Sequence, residues 1–388
     1  MTLPPKTTEK DVKFDPRFPD FFGFWNRSIP NRDQGPAVDK YDEPHIKRKI
    51  AILKKYPQIK ELAGYDIRTK YITFAAVTAH IALAYYFGRI FTGSWYVFAL
   101  ASYCLGASIA ALYGVIFHEI THNLAAPTSL ENRFIGLVAN IPLLIPLAMS
   151  FRRYHLEHHT YQGVKGYDPD LPLDWEVKYI GNNPILKFLW LMIYGIMYIV
   201  RGLAMNKPLR RWELINWAWS VGTNTALYYL VGGKGIGFLA LSVAFGYGPH
   251  PGAAHFIQEH YTFANGQETY NYYGSGNLIY MNIGYHNEHH DFHNIPWSNL
   301  PKVKAIAMEF YDNMAYHDSW WRVLYLFVTC KLLAPQSRVV RSYEDHTYAR
   351  KNLRVKDEVR PDGYSKGTNI SAVSDAAYDK EYNKLVSV

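Results

Sequence analysis

Eight histidines of this chain fall into three short strings: His118-Glu-Ile-Thr-His122, His155-Leu-Glu-His158-His159 and His286-Asn-Glu-His289-His290. On a helix, positions i, i+3 and i+4 share one face, so each string aims its imidazoles at one place. The chain holds 16 histidines in 388 residues, and at that frequency a given HxxHH arises by chance about 0.03 times in such a length. Two copies plus an HxxxH mark a metal site, not scattered surface histidines. Neutral imidazole suits iron, zinc, copper and nickel, and eight or nine ligands are too many for one ion. Two ions with four or five imidazoles each use the set fully. Among these metals iron has the O2 chemistry strong enough to attack an unactivated C–H bond.

The remaining candidates lie around these strings. His255, in His250-Pro-Gly-Ala-Ala-His255-Phe-Ile-Gln-Glu-His260, ends a long apolar run and is expected as the ninth ligand, because an ionisable group at such a helix end usually has a function. Glu119, Glu157 and Glu288 recur inside the strings. With His260 and His293 they are candidates to hydrogen-bond and orient ligand imidazoles. His80 reads as an interior residue, and His45, His317 and His346 as surface positions. Asp168, Asp170 and Asp174 read as partners of Arg152 or Arg153, or as helix caps. No catalytic group is assigned beyond the ligands. The first string also satisfies the zinc-protease pattern HExxH with Glu119 as general base, but that reading leaves six clustered histidines unexplained. A histidine-rich metal transporter would want its ligands inside the spans.

Ligands so placed need rigid supports. Crossing the hydrocarbon core takes roughly 20 apolar residues, and four stretches qualify, at about 71–91, 95–117, 214–233 and 235–256. Links near 91–94 and 232–235 are so short that each pair reads as a hairpin. Phe134–Phe151, with Pro142 and Pro146, and Phe188–Val200 read as helices lying in or dipping into the cytosolic leaflet. The cluster Lys187, Arg201, Lys207, Arg210 and Arg211 is kept cytosolic by the positive-inside rule. The expectation is an all-α integral membrane protein with four transmembrane helices in two hairpins, in-plane helices and a cytosolic histidine-bearing domain. Both termini and all three strings then face the cytosol, a placement reached from charge and length alone. Residues 41–345 form the membrane domain, between a flexible segment 1–40 and a flexible polar tail 346–388. Near residues 45–56, Ile46, Ile50 and Leu53 recur among five basic residues, which predicts an amphipathic helix on the membrane surface.

Composition agrees with that class. Aromatic residues make up 16% of the chain, which suits interfacial belts. The net charge of +8 suits anionic lipid; no basic patch suggests nucleic acid. Cys104 and Cys330 alone exclude a disulfide framework. The first residues lack the apolar core of a signal peptide. No GxGxxG follows a strand pattern, so neither flavin nor nicotinamide is expected. His250-Pro-Gly-Ala departs from the His-Pro-Gly-Gly haem motif at its last position and ends an apolar span, so no haem is expected either. Electrons must then come from a separate protein.

Particular strings narrow the reading. His118-Glu-Ile-Thr-His122-Asn123, Tyr154-His155-Leu-Glu-His158-His159 and Asn282-Ile-Gly-Tyr-His286-Asn-Glu-His289-His290-Asp-Phe resemble the sphingolipid Δ4-desaturase (dihydroceramide desaturase) family of the membrane lipid desaturases. So do His255-Phe-Ile-Gln-Glu-His260-Tyr261 and Lys55-Tyr-Pro-Gln-Ile-Lys60, and the likeness covers roughly residues 40–345. It implies a di-iron, O2-dependent oxidoreductase of the endoplasmic reticulum membrane that converts dihydroceramide to ceramide by a trans C4–C5 double bond. Cytochrome b5 and its NADH-dependent reductase would supply the electrons. A sphingolipid C4-hydroxylase or an acyl-lipid desaturase on the same scaffold are the alternatives. His293 departs from the family pattern, standing where Pro is expected before Asn294-Ile-Pro296.

Overall fold

The computed structural model describes residues 43–263, 267–351 and 370–372, with the two-residue strands Phe24–Trp25 and Val38–Asp39. The expected flexible segments therefore fall mostly outside the described residues; residues 346–351 of the tail continue the helix Tyr343–Lys351.

Three helices are long and apolar enough to cross a membrane: Arg68–Ile90, Trp95–Thr121 and Arg211–Gly246. The third is broken at Gly232, whose φ of 72° lies in the left-handed region where a Cβ is strained. Its two arms, 211–231 and 233–246, pack on the first two helices through small residues. A Cβ on Gly88 would lie 2.1 Å from the Val231 carbonyl oxygen, and one on Gly235 would lie 2.6 Å from that of Ala84. Further along, Gly106 meets Ser242, and Gly246 meets Ala107 and Ala110. Such contacts let backbones approach where lipid gives helices no hydrophobic reason to associate.

Both tight links lie at one end. Arg89 donates to the carbonyls of Tyr229 and Leu230, and Lys234 to that of Phe91. Tyr85, Tyr86, Trp95, Tyr96, Tyr228 and Tyr229 are exposed around them, the aromatic girdle of a membrane interface. Single turns at Tyr86–Ile90 and Ser102–Gly106 are π-helical.

One predicted boundary moves. The stretch expected to span 235–256 stays helical only to Gly246. Gly248, Pro249, Pro251 and Gly252 follow, and proline removes a helix donor while glycine adds freedom the helix must surrender. The chain proceeds through the 3-10 turn Pro251–Ala253, capped by His250, to the one-turn helix His255–Gln258.

Two helix pairs are sharply bent: Ser129–Leu143 with Ala148–Tyr161 by 117°, and Pro184–Met192 with Tyr194–Ala204 by 78°. Asn140 pins the first bend. Its side-chain oxygen accepts from the N–H of Leu147 and Ala148, and its amide donates to Ile145 and to Ser220 of the neighbouring arm. Near the second bend, two cations of the expected cytosolic cluster are buried. Arg201 makes a two-pronged pair with Glu176 at 2.8 and 2.7 Å, and Lys187 donates to the carbonyls of Cys330 and Leu333. The fold also departs from pure helix at Asn271–Tyr272, which pairs in parallel with Tyr316–His317. His317, expected at the surface, is buried there.

Candidate metal centre

His118 lies in the last turn of Trp95–Thr121 and His122 caps it. Arg152, from the helix Ala148–Tyr161, takes the carbonyls of Ile120 and Thr121. It thereby joins the end of the first string to the helix that carries His155, His158 and His159. The third string forms the six-residue helix His286–Asp291.

These elements bring nine imidazoles into two adjoining groups. His118, His122, His155, His159 and His289 offer ring nitrogens all within 4.8 Å of one another, and His158, His260 and His290 form a second group by the same measure. His286 completes the second, its Nε2 2.9 Å from that of His260 and its ring 4.4 Å from His290. The groups meet at His158 and His159, and the rings of His159 and His290 stack at 4.4 Å.

The residues fit bound metal. Nε2 atoms face each other at 3.1 Å for His155 and His159, 3.1 Å for His159 and His289, and 3.0 Å for His158 and His260. Two imidazoles at right angles on one ion, with bonds of about 2.0–2.1 Å, stand about 3 Å apart. The Nε2 atoms of His118, His122 and His290 are buried with no hydrogen-bond partner, a costly state that ligation relieves. Burial first, and neighbouring imidazoles second, hold His155, His159, His289 and His290 well below the usual imidazole range. They are therefore neutral, the form that ligates.

His260, expected as an orienting partner and behind His255 as a ligand, sits inside the second group, while His255 lies in neither. The His255 Nδ1–H donates to the Gly252 carbonyl at 2.7 Å. The Pro/Gly break ahead of this segment resets the helix phase, so the residue that ends the apolar run is not the one that joins the imidazole groups.

The three glutamates divide. Glu119 is buried, accepts from the Trp297 N–H at 3.3 Å and lies 3.7 Å from His118 Nδ1. Glu288 accepts from the Tyr273 hydroxyl at 2.8 Å instead of from an imidazole. Glu157 turns away to Lys207 at 2.7 Å and Arg153 at 3.6 Å. His293 is exposed, its ring 5.8 Å from His122. With His122, His159 and His290 it lines a cavity of about 260 Å³ that opens over the centre.

Asp168 has a role that its sequence position did not reveal. His158 Nδ1–H donates to it at 2.9 Å, with Asp170 at 3.5 Å, and neither aspartate pairs with Arg152 or Arg153. Burial would lower the His158 imidazole, but Asp168 and Asp170 overcome it and hold the group above its ordinary value. Pinning the proton on Nδ1 turns Nε2 toward His260. Asp168→Asn is therefore expected to weaken metal retention by roughly 10- to 100-fold, read as bound metal after dialysis. The only hint in the sequence is an acidic run that starts nine residues past the string.

His45 is also buried, against expectation. It bonds Asp291 and Thr269 at 2.9 Å each, and its ring lies 4.9 Å from His290. Its helix, Pro44–Lys55, buries His45 and Ile52, while Ile50 faces outward. Of the expected apolar period, Leu53 packs inward beside Ile52 while Ile50 is exposed.

Apolar helices that end in a buried polyhistidine pocket are the arrangement of a membrane desaturase. A model of the fatty acid desaturase family matches residues 93–324, which hold all nine of these histidines, and a model of the sphingolipid Delta4-desaturases matches residues 39–68. The chain is 44% identical over 303 residues to sphingolipid delta(4)-desaturase DES1 of Drosophila melanogaster and 41% identical to that of Gallus gallus, covering 77% of this chain and 93% of each relative. To the DES1-like desaturase of Oryza sativa subsp. japonica it is 39% identical over 302 residues, 77% of this chain and 90% of that one. The chain belongs to the sphingolipid Δ4-desaturase family, and it is an oxidoreductase.

Proposed function

We propose that the protein converts dihydroceramide to ceramide, introducing a trans C4–C5 double bond with O2. Two irons would be held, one by His118, His122, His155, His159 and His289, the other by His158, His260, His286 and His290. The observation that carries this reading is the convergence of nine imidazoles into two adjoining groups in a chain of this family. Iron with O2 supplies the oxidising power to take hydrogen from two neighbouring methylenes. The chain's own residues supply position, and position selects the carbon, because adjacent methylenes scarcely differ chemically.

In this reading residues 41–345 are the working domain in the endoplasmic reticulum membrane, crossing it four times. The histidine end faces the cytosol and the links beside Arg89 and Lys234 face the lumen. Cytochrome b5, reduced by its NADH-dependent reductase, delivers the electrons. Purified protein incubated with dihydroceramide, NADH, cytochrome b5 and the reductase should form ceramide, seen by mass spectrometry as the loss of two hydrogens. Omitting O2 or cytochrome b5 should abolish the product. Turnover without O2 would sink the reading, and a product hydroxylated only at C4 would transfer it to the hydroxylase.

A further inference from the structure

The helix His286–Asp291 carries three ligands in six residues. A helix this short does not hold itself, since nucleation costs more than one turn of hydrogen bonds returns. Something outside it must fix its roll. Its ligands occupy one face, and the adjoining face presents Asn287 and Asp291, one turn apart.

The Asp291 carboxylate is fully buried and receives four donors. Arg48 Nε and Nη2 donate at 2.6 and 2.8 Å, the Tyr311 hydroxyl at 2.9 Å and His45 Nδ1–H at 2.9 Å. Arg48 also donates to the Asn287 side-chain oxygen at 3.1 Å. Arg48 lies near His45 Nδ1 as well, at 3.1 Å, but that nitrogen cannot both donate to Asp291 and accept from a guanidinium. Arg48 has better acceptors in Asp291 and Asn287, so donation to Asp291 is the consistent assignment. The other His45 nitrogen meets Thr269. Both are thus occupied, and His45 is no ligand although its ring adjoins His290.

We propose that the helix Pro44–Lys55 is a positioning element of the metal centre. Through Arg48 and His45 it grips Asp291 and so aims His289 and His290 at their ions. The segment lies within residues 39–68 and outside residues 93–324, in sequence far from every ligand. The proposal rests on the metal reading above, but its test separates the two.

Full-length protein and variants are loaded with ferrous iron. Iron per chain and its release to a chelator are measured beside thermal unfolding. Arg48→Ala and Asp291→Asn should release iron roughly 10- to 100-fold faster than the wild type. Arg48→Lys should recover only part of the difference, because one ammonium cannot span both carboxylate oxygens. Tyr311→Phe, which removes a single hydroxyl, should shift release in the same direction by less, and it stands in if Arg48→Ala does not fold. Lys55→Ala, on the same helix but in an exposed pair with Glu309, should release iron as the wild type does. Wild-type release rates in Arg48→Ala or Tyr311→Phe, or equal acceleration in Lys55→Ala, would overturn the proposal. Wild-type protein that binds no iron would overturn the metal reading instead.

Discussion

His260→Ala is expected to empty the second metal group and abolish turnover, whereas His255→Ala should retain the full metal content. The His260 Nε2 lies 3.0 Å from that of His158 and 2.9 Å from that of His286, so its loss removes the atom on which the group converges. The effect should exceed the roughly 10- to 100-fold typical of losing a partner that only orients a ligand. His255 has its Nδ1–H on a backbone carbonyl and stands outside both groups; its removal should cost stability more than metal. Elemental analysis of the two purified variants decides the matter. Full metal in His260→Ala with loss in His255→Ala would reverse the assignment.

Glu176→Ala is expected to be the most destabilising single change away from the ligands. Arg201 is buried and would keep its charge with no carboxylate to meet it, and the Trp190 indole N–H would lose its acceptor at 2.7 Å. Breaking one side of such a pair costs about 3–5 kcal/mol. The pair joins the helix Asp174–Ile180 to Tyr194–Ala204, whose Gly202 carbonyl accepts from Tyr154, the residue before His155. Loosening should therefore reach the centre too. A thermal melt in detergent should show a large drop, and replacing both partners together with apolar residues should restore much of it. An unchanged melt for Glu176→Ala would refute the buried-pair account.

What was legible in the sequence was local. The i, i+3, i+4 spacing within each string is a property of one helix, so the eight clustered histidines read correctly as convergent. The small-residue link at Gly232 and the apolar lengths likewise announced the helix break and its two arms. What was not legible depends on chain segments meeting. His45 and Asp291 are 246 positions apart, and nothing near either names the other. Lys187 and Arg201 read only as cytosolic charge because sequence shows sign but not partners; each is buried against acceptors that only the fold supplies. The choice between His255 and His260 turned on helix phase after Gly246, and a segment with two prolines and two glycines has no phase to extrapolate.

The helix Trp95–Thr121 is a ruler, and its wide turn at Ser102–Gly106 is the one place along it that takes up an extra residue. Each α-helical residue advances about 100° around the axis and about 1.5 Å along it, and a π turn admits one residue more. With the girdle at Trp95 and Tyr96 held at one interface, removing a residue from the α-helical part would swing His118 and His122 about 100° away from His155 and His289 and pull them about 1.5 Å deeper, whereas removing the extra residue of the π turn would restore an α turn and leave them nearly in place. The number of residues between the girdle and the first imidazole is thus part of the coordination chemistry. Outside the π turn, a change of side chain along this helix leaves the imidazoles where they are, and a change of count does not.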